Sequence, residues 1–433
     1  MKKLLRPVVV FILALLARAV LRRYAPRIVM VTGSVGKTST KDAVAAALSA
    51  RFYVRKNEKS FNSEFGVPFT IFGVENPWTN SLAWLSVVKS ALALLLLPNH
   101  YPNLLVLEVG ADKQGDLSRI LRIATPDAVV VTRLPEIPVH VEAYASPEAV
   151  REEEFSPAYA LPAGAPLIVP FDDSYALANA KRVPACVISY GVSEGATVRI
   201  QHTGFYENEG KIRGMQAAIS MNGEEGTYVV RGSVGRTQLL PLAAALAVAK
   251  AFAFSPAEAR AALEQYEAPP GRGRLFAGKN GSIIIDDSYN SSPAAVEEAL
   301  ATLSAFPHAK RRIAVLGDML ELGRYSVTEH ERLAALAGVS ADVIATVGIR
   351  ARAFAPVLSG AHASREHSRD TVLMFDNSRA AAAALPDFVR EGDVILVKGS
   401  QSIRTECIVE ALLADHADAA KLVRQEKKWK QKL

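Results

Sequence analysis

Between Ile28 and Ala43 the chain reads IVMVTGSVGKTSTKDA, with Gly33, Ser34, Val35, Gly36, Lys37, Thr38 and Ser39 at its centre. Glycines here let backbone N–H groups approach phosphate oxygens. A lysine ammonium reaches the terminal phosphates, and the hydroxyl beside it is a ligand for Mg²⁺. A helix that starts at such a loop adds the positive end of its dipole. The usual phosphate loop puts four residues between its glycines; here two separate Gly33 from Gly36. The chemistry on offer is the binding of ATP with Mg²⁺.

Such a site also needs a carboxylate. Glu108 closes the apolar run in NLLVLEVGA (103–111), and His140 lies in the loop after the next apolar run, PDAVVVTRL (126–134). Ligands of open α/β sheets bind at the carboxyl ends of the strands. Thr38, Glu108 and His140 are therefore the candidate metal ligands, although a lone Glu or His on a loop is by itself commonplace.

The elements that must carry these residues follow from the hydrophobic pattern. Residues 27–32 read as a buried parallel strand and 37–50 as a helix, with further strands at 103–111, 126–134, 165–173 and 185–191. Ser146 and Pro147 mark the start of a helix over 147–154. Strands alternating with helices predict a doubly wound α/β sheet. Residues 196–234 alternate apolar and polar with Gly-rich turns and read as a small antiparallel patch, and 237–265 as helical. EAPPGRGRLF (267–276) is Pro- and Gly-rich punctuation, so a domain boundary is expected there. Beyond it the alternation restarts with SIIIDDSYN, RRIAVLGDM, DVIATVG and GDVILVKGS as strands, and 293–305, 328–338, 379–390 and 403–414 as helices. The expected architecture is α/β throughout. Residues 1–26 form an apolar, basic N-terminal helix, 27–268 a central parallel-sheet domain with the phosphate loop, 269–415 a second Rossmann-like domain, and 416–433 a basic tail.

Half of the 433 residues are apolar and 22% are charged, which excludes a disordered chain. The two cysteines, Cys186 and Cys407, have no metal-ligand spacing and suit a reducing compartment. The net charge of +6 is concentrated at the ends, in Lys2, Lys3, Arg6, Arg18, Arg22 and Arg23 and in KLVRQEKKWKQKL, which reads as a frayed, solvated helix. No aromatic-interleaved basic patch accompanies it, so no nucleic-acid partner is expected. PVVVFILALLARAVL (7–21) falls short of the roughly 20 residues a spanning helix needs. No cleavage site follows it, and a phosphate loop belongs with cytosolic nucleotide. Three placements suit it: the inner membrane interface with snorkelling cations, the protein's own surface, or a short span. The apolar stretch within 74–102 reads as a core helix or as a second membrane-contacting surface.

Taken together, VTGSVGKTSTKD, NSEFGVPFTIF, LEVGADKQGDL, IIDDSYNSSP, VLGDMLELG with His330 downstream, and ILVKGS resemble the Mur ligases over residues 27–412. Within them they resemble the branch that adds D-alanyl-D-alanine to UDP-N-acetylmuramoyl-tripeptide. The resemblance implies an ATP-dependent ligase of peptidoglycan precursor synthesis, acting through an acyl phosphate that an amine attacks. It implies Lys37, Glu108 and His140 as catalytic groups, Thr38, Glu108 and His140 at the metal, and Asn62, Asp318 and Lys398 toward substrate. It implies Arg272 or Arg274 on ATP phosphate, Gly-Arg occurring twice, and Asp287, Tyr289 and Asn290 closing over the nucleotide. Two sheets joined by a hinge suit an enzyme that excludes water from an acyl phosphate.

Four departures qualify the resemblance. About 26 residues precede the first strand, too few for the family's UDP-binding domain. A lysine modified to a carbamate is usual 14 residues after the histidine; counting from His140 reaches Glu154, which brings a carboxylate ready-made or is a solvated acidic turn. The His-Asn pair that serves adenine reads Thr237-Gln238, and Gln401 follows KGS where Arg is usual. The expected partners are a muramoyl-peptide, UDP-linked or lipid-linked, and D-Ala-D-Ala or another amine. The expected location is the cytoplasm, with contact to the inner membrane face an open placement. A non-catalytic nucleotide-binding scaffold is the alternative of a different class.

Overall fold

The computed structural model describes residues 6–58, 62–77, 81–354, 357, 371–426 and 429. Lys2, Lys3 and residues 427–428 and 430–433 of the basic tail lie outside them. The chain runs through α1 (Arg6–Tyr24), β1 (Arg27–Thr32), α2 (Lys37–Leu48), β2 (Val54–Lys56), α3 (Gly66–Phe72), α4 (Ser81–Leu96), β3 (Leu104–Glu108), α5 (Asp116–Leu121), β4 (Ala128–Val131), α6 (Pro147–Phe155), β5 (Pro166–Pro170), α7 (Ser174–Ala180) and β6 (Cys186–Gly191). β7 (Val198–Asn208), β8 (Lys211–Met221) and β9 (Glu224–Arg231) follow, then α8 (Leu240–Ala251) and α9 (Pro256–Leu263).

These strands make one sheet in the order β2-β3-β1-β4-β5-β6-β7-β8-β9. Pairing is parallel from β2 to β7 and antiparallel from β7 to β9. The antiparallel patch expected over 196–234 is present and extends the main sheet, because Tyr190 and Gly191 pair with Val198 and Arg199. β1, β3 and β4 are buried on both faces, as central parallel strands must be. Alternate side chains serve two cores: Val29 and Val31 pack with α2 and α8, Ile28 and Met30 with α1, α3 and α4. The stretch expected as helical over 237–265 holds two helices. Ser255 ends the irregular link after α8 and opens α9 with a capping box to Glu258.

The second sheet has the order β10-β11-β15-β12-β13-β14. Its strands are β10 (Arg274–Ala277), β11 (Ile283–Asp287), β12 (Arg311–Gly317), β13 (Val343–Val347), β14 (Thr371–Phe375) and β15 (Asp393–Lys398). α10 (Pro293–Ala305), α11 (Ser326–Ser340), α12 (Ser378–Phe388) and α13 (Glu406–Leu412) cover it. β10 is antiparallel to β11 and the other pairs are parallel.

At the start of the chain one of the three open placements is seen, and at its end the tail differs from expectation. α1 lies on the protein's own core, with Leu13, Ala17 and Val20 buried among Phe69, Val87, Ala91 and Leu94. Among the described residues no helix is long and apolar enough to cross a membrane. The tail is not frayed over its described part. Arg424 is buried, donates to the carbonyls of Ser288 (2.6 Å) and Tyr289 (3.0 Å), and pairs with Glu406 at 2.8 Å. Arg404 donates to the Trp429 carbonyl at 2.6 Å.

Candidate active site

The phosphate loop joins the end of β1 to the start of α2. Gly33 has φ +114°, and a Cβ there would sit 2.9 Å from the Thr132 backbone N and O, so a side chain has no room. Gly36, φ +92°, turns the chain into α2 without a side-chain cap, leaving the first helical N–H groups directed out of the helix end. The N–H groups of Ser34 and Val35 instead donate to the Arg133 carbonyl at 3.1 and 3.2 Å.

Lys37 Nζ donates to the Gly33 carbonyl and lies 3.7 Å from Glu154 Oε1. Glu154, near the end of α6, is buried and accepts a hydrogen bond from the Ser34 hydroxyl. It is no solvated turn. Burial raises its carboxyl above the ordinary range, against the pull of Lys37, the Ser34 hydroxyl and His140. Glu108 ends β3 where the sequence put it. Asn57 clamps its backbone from both sides, accepting from Glu108 N at 2.6 Å and donating to its carbonyl at 3.3 Å. Thr38 Oγ1 donates to Glu108 Oε1 at 3.2 Å. Glu108 Oε2, 3.8 Å from Lys41 Nζ, is buried with no hydrogen-bond partner among the described residues. Sequence reasoning singled out neither Asn57 nor Lys41, although the place of Lys41 one turn beyond Lys37 was a signal that could have found it.

His140 stands in a left-handed conformation, φ +65°. Its Nδ1 lies 2.8 Å from Glu321 Oε2, on the loop after β12, so the pair bridges the two sheets' domains. Burial opposes its protonation, but the hydrogen bond and charge of Glu321 outweigh it and raise its pKa. Glu321 was part of the LGDMLELG motif, yet nothing in the sequence joined it to His140.

A cavity of about 680 Å³ lies between the domains. Its walls include Ser34, Val35, Gly36, Lys37, Thr38, Asn62, Glu108, His140, Arg272, Tyr289 and Asn290. Arg272 stacks on Tyr289, its guanidinium carbon 4.1 Å from the ring centroid. It is held between Gly271 and Gly273, both at positive φ; a Cβ at Gly273 would meet the Val234 carbonyl at 2.3 Å. Arg274 opens β10 and turns to Glu267 and Phe276, away from the cavity. Asp287 pairs with buried Lys398 at 2.6 Å, and Lys398 also donates to the Asn290 carbonyl at 3.0 Å. These two line a narrow extension with Ser39, Thr237 and Gln238. Gln238 Oε1 is buried there with no hydrogen-bond partner among the described residues. Asp318 is not brought to the cavity: its carboxylate accepts from the N–H of Ala351 at 2.7 Å and fixes that turn. His330 is structural too. It accepts from Met319 N at 3.1 Å, and burial lowers its pKa.

Comparison with known proteins bears on this geometry. The Mur ligase middle domain matches residues 31–249, and the Mur ligase glutamate ligase domain matches 271–401. UDP-N-acetylmuramoyl-tripeptide--D-alanyl-D-alanine ligase of Bacillus subtilis (strain 168) is 28% identical, covering 92% of this chain and 78% of its own length. Its counterpart in Mycobacterium tuberculosis (strain H37Rv) is 30% identical, with coverage of 90% and 73%. The crystal structure of MurF ligase from Thermotoga maritima in complex with ADP superposes with a TM-score of 0.74 at 26% identity, covering 93% of this chain and 83% of that one. Folylpolyglutamate synthase of Mycobacterium tuberculosis, also complexed with ADP, shares the fold at a TM-score of 0.61 and 16% identity. On these matches, which cover the phosphate loop, Glu108 and most of the second sheet, the chain belongs to the Mur ligase family and is an ATP-dependent ligase that forms C–N bonds.

Proposed function

We propose that this ligase joins D-alanyl-D-alanine to the terminal carboxylate of a muramoyl-tripeptide in peptidoglycan precursor synthesis. The observation that carries the reading is the convergence of Lys37, Thr38, Glu108, Arg272, Tyr289 and Asn290 on one interdomain cavity. It is supported by relatives of that activity aligned over nine-tenths of the chain. In this reading residues 27–268 bind ATP, 269–415 close over it, and the enzyme works where ATP is, in the cytoplasm.

The site fits Mg²⁺. Glu108 Oε2 is buried with Lys41 3.8 Å away and no hydrogen-bond partner among the described residues, and the Thr38 hydroxyl donates to its other oxygen. Such oxygens suit a hard cation that draws its other ligands from water and phosphate. No group of three or more His, Cys, Asp or Glu forms a ready-made cage among the described residues, and Mg²⁺ does not need one. Thr38 and Glu108 would hold it, while Glu154 stands against Lys37 and the Ser34 hydroxyl and His140 is held by Glu321. When bound, it neutralises charge on the transferring phosphoryl group.

The chain's own residues do the rest. The α2 N-terminus and Lys37 bind the β and γ phosphates, and Arg272 supplies a second positive charge. The acceptor carboxylate oxygen takes the γ-phosphoryl group as the bond to ADP breaks. The amine nitrogen then attacks the acyl carbon, the C–O bond to phosphate breaks, and the nitrogen loses a proton. Gln238 Oε1, orphaned in the narrow extension, is the acceptor for the adenine amino group, replacing the His-Asn pair of the family. A cavity of about 950 Å³ adjoins the first, sharing Thr38, Arg272, Tyr289, Gln401 and Trp429, with Phe65, Phe69 and Leu422 in its walls. It has room for the acceptor.

The test is phosphate release from ATP with Mg²⁺ by the full chain, given D-Ala-D-Ala and either UDP-linked or lipid-linked tripeptide. Release that requires acceptor and dipeptide together supports the reading and identifies the acceptor. Release with a different amine, and none with D-Ala-D-Ala, sinks it. A smaller experiment separates the two arginines. Arg272→Ala is expected to raise the KM for ATP by about tenfold, the loss of one charge-assisted contact, while Arg274→Ala leaves it unchanged. The reverse result would overturn the assignment of Arg272.

A further inference from the structure

A helix on a soluble surface keeps one apolar stripe for the core and a polar face for water. α1 and α4 do not. Their inner faces enter one core through Leu13, Ala17, Val20, Val87, Ala91 and Leu94. Their outer faces are apolar too. On α1, Val8, Phe11, Ile12 and Leu15 are exposed, Phe11 by 63%; on α4, Leu85, Leu92 and Leu96 are exposed, Leu96 by 74%.

The two helices lie side by side and run the same way. Near their carboxyl ends Tyr24 Oη donates to the Leu94 carbonyl at 2.7 Å, and Arg23 donates to the carbonyls of Leu95 and Leu97. Near their amino ends Arg6 covers Phe65, and Trp84 packs on Phe65 and Phe69. With the inner faces sharing a core, the outer stripes stand on one side of the molecule. Contiguous apolar surface of this kind marks an interaction site.

The charges on these helices say what covers it. Neither helix contains an acidic residue, while α1 carries Arg18, Arg22 and Arg23 and α4 carries Lys89, Arg6 being paired with Glu64. A partner protein core would not require cations of one sign around the patch; a lipid surface with anionic headgroups does. α1 is also tied to the core along its length, so it can only lie flat at an interface. We propose that the outer face of α1 and α4 docks this protein on an anionic lipid bilayer, with the leucines and Phe11 among the acyl chains and the cations at the headgroups. The surface borders the larger cavity: Phe65 lines that cavity, and its neighbour Glu64 pairs with Arg6 at 3.1 Å. Docking would therefore bring the cavity near the bilayer.

The experiment is flotation of the full chain with unilamellar vesicles of equimolar phosphatidylglycerol and phosphatidylcholine, or of phosphatidylcholine alone. Size-exclusion chromatography with light scattering accompanies it. The protein is expected to partition to the anionic vesicles about tenfold more strongly than to the neutral ones, the yield of a few cations at the surface. The variant Phe11→Ser/Leu15→Ser/Leu92→Ser/Leu96→Ser replaces exposed side chains alone. It is expected to lower that partition by about tenfold or more while keeping the melting temperature and ATP turnover. No binding to either vesicle, or binding that the variant leaves unchanged, overturns the proposal. So does a dimer of the parent chain that the variant dissociates, since a second copy would then be the occupant.

Discussion

Lys37→Met is expected to lower kcat by about 1,000-fold, the cost of removing a preorganised charge from a water-poor site. Methionine keeps most of the length and bulk of the lysine side chain but presents no charge to the γ-phosphoryl group. The geometry makes the charge hard to replace. Nζ is held by the Gly33 carbonyl and lies 3.7 Å from Glu154, at the mouth of the α2 helix end. Arg272 approaches the cavity from the hinge and is occupied by its stack on Tyr289. The variant does leave Glu154 without its nearest cation. Burial already favours the neutral form of that carboxyl, so it can take up a proton instead of standing as an unpaired charge. The fold should therefore persist, and melting curves alongside single-turnover ADP formation would separate the two effects. A variant within tenfold of the parent rate would remove Lys37 from the chemistry.

What could be read in advance was local, and what could not depended on pairing between distant segments. The phosphate loop and the strand-end Glu108 are legible because a glycine pair, a lysine and an apolar run fix their own backbone. The choice between Arg272 and Arg274 is not legible. It depends on Gly271 and Gly273 both taking positive φ and on Arg274 entering β10 opposite Asp286. β7–β9 read correctly as antiparallel, but their attachment to β6 is a register between strands and leaves no trace in either segment. β14, TVLMF, was missed because a threonine followed by four apolar residues without alternation fits strand and helix alike. The tail was misread for a different reason. Its charge density suggested solvent, yet Arg424 is buried because Glu406 and the carbonyls of Ser288 and Tyr289 take its two terminal nitrogens, and none of these partners is adjacent in sequence.

Glu154 combines both kinds of information, and its substitution makes the second large prediction. The resemblance aligned it with a lysine that carries a carbamate, and the structure sets its carboxylate against Lys37 and the Ser34 hydroxyl. If it serves as the site's built-in carboxylate, Glu154→Gln should lower kcat by about 10- to 100-fold and raise the Mg²⁺ concentration needed for half-maximal rate, as loss of a group supporting a metal does. Glutamine keeps the shape and can keep the contact with Ser34, so only the charge changes. Glutamine relieves the desolvation of a buried carboxylate but leaves Lys37 without its ion-pair partner, so melting curves recorded beside the rate separate lost stability from lost chemistry. The parent should be indifferent to bicarbonate, whereas Glu154→Lys should be inactive without it and partly active with it. A parent enzyme that needs bicarbonate, or a glutamine variant with parental rate and Mg²⁺ dependence, would assign Glu154 a purely structural role beneath the phosphate loop.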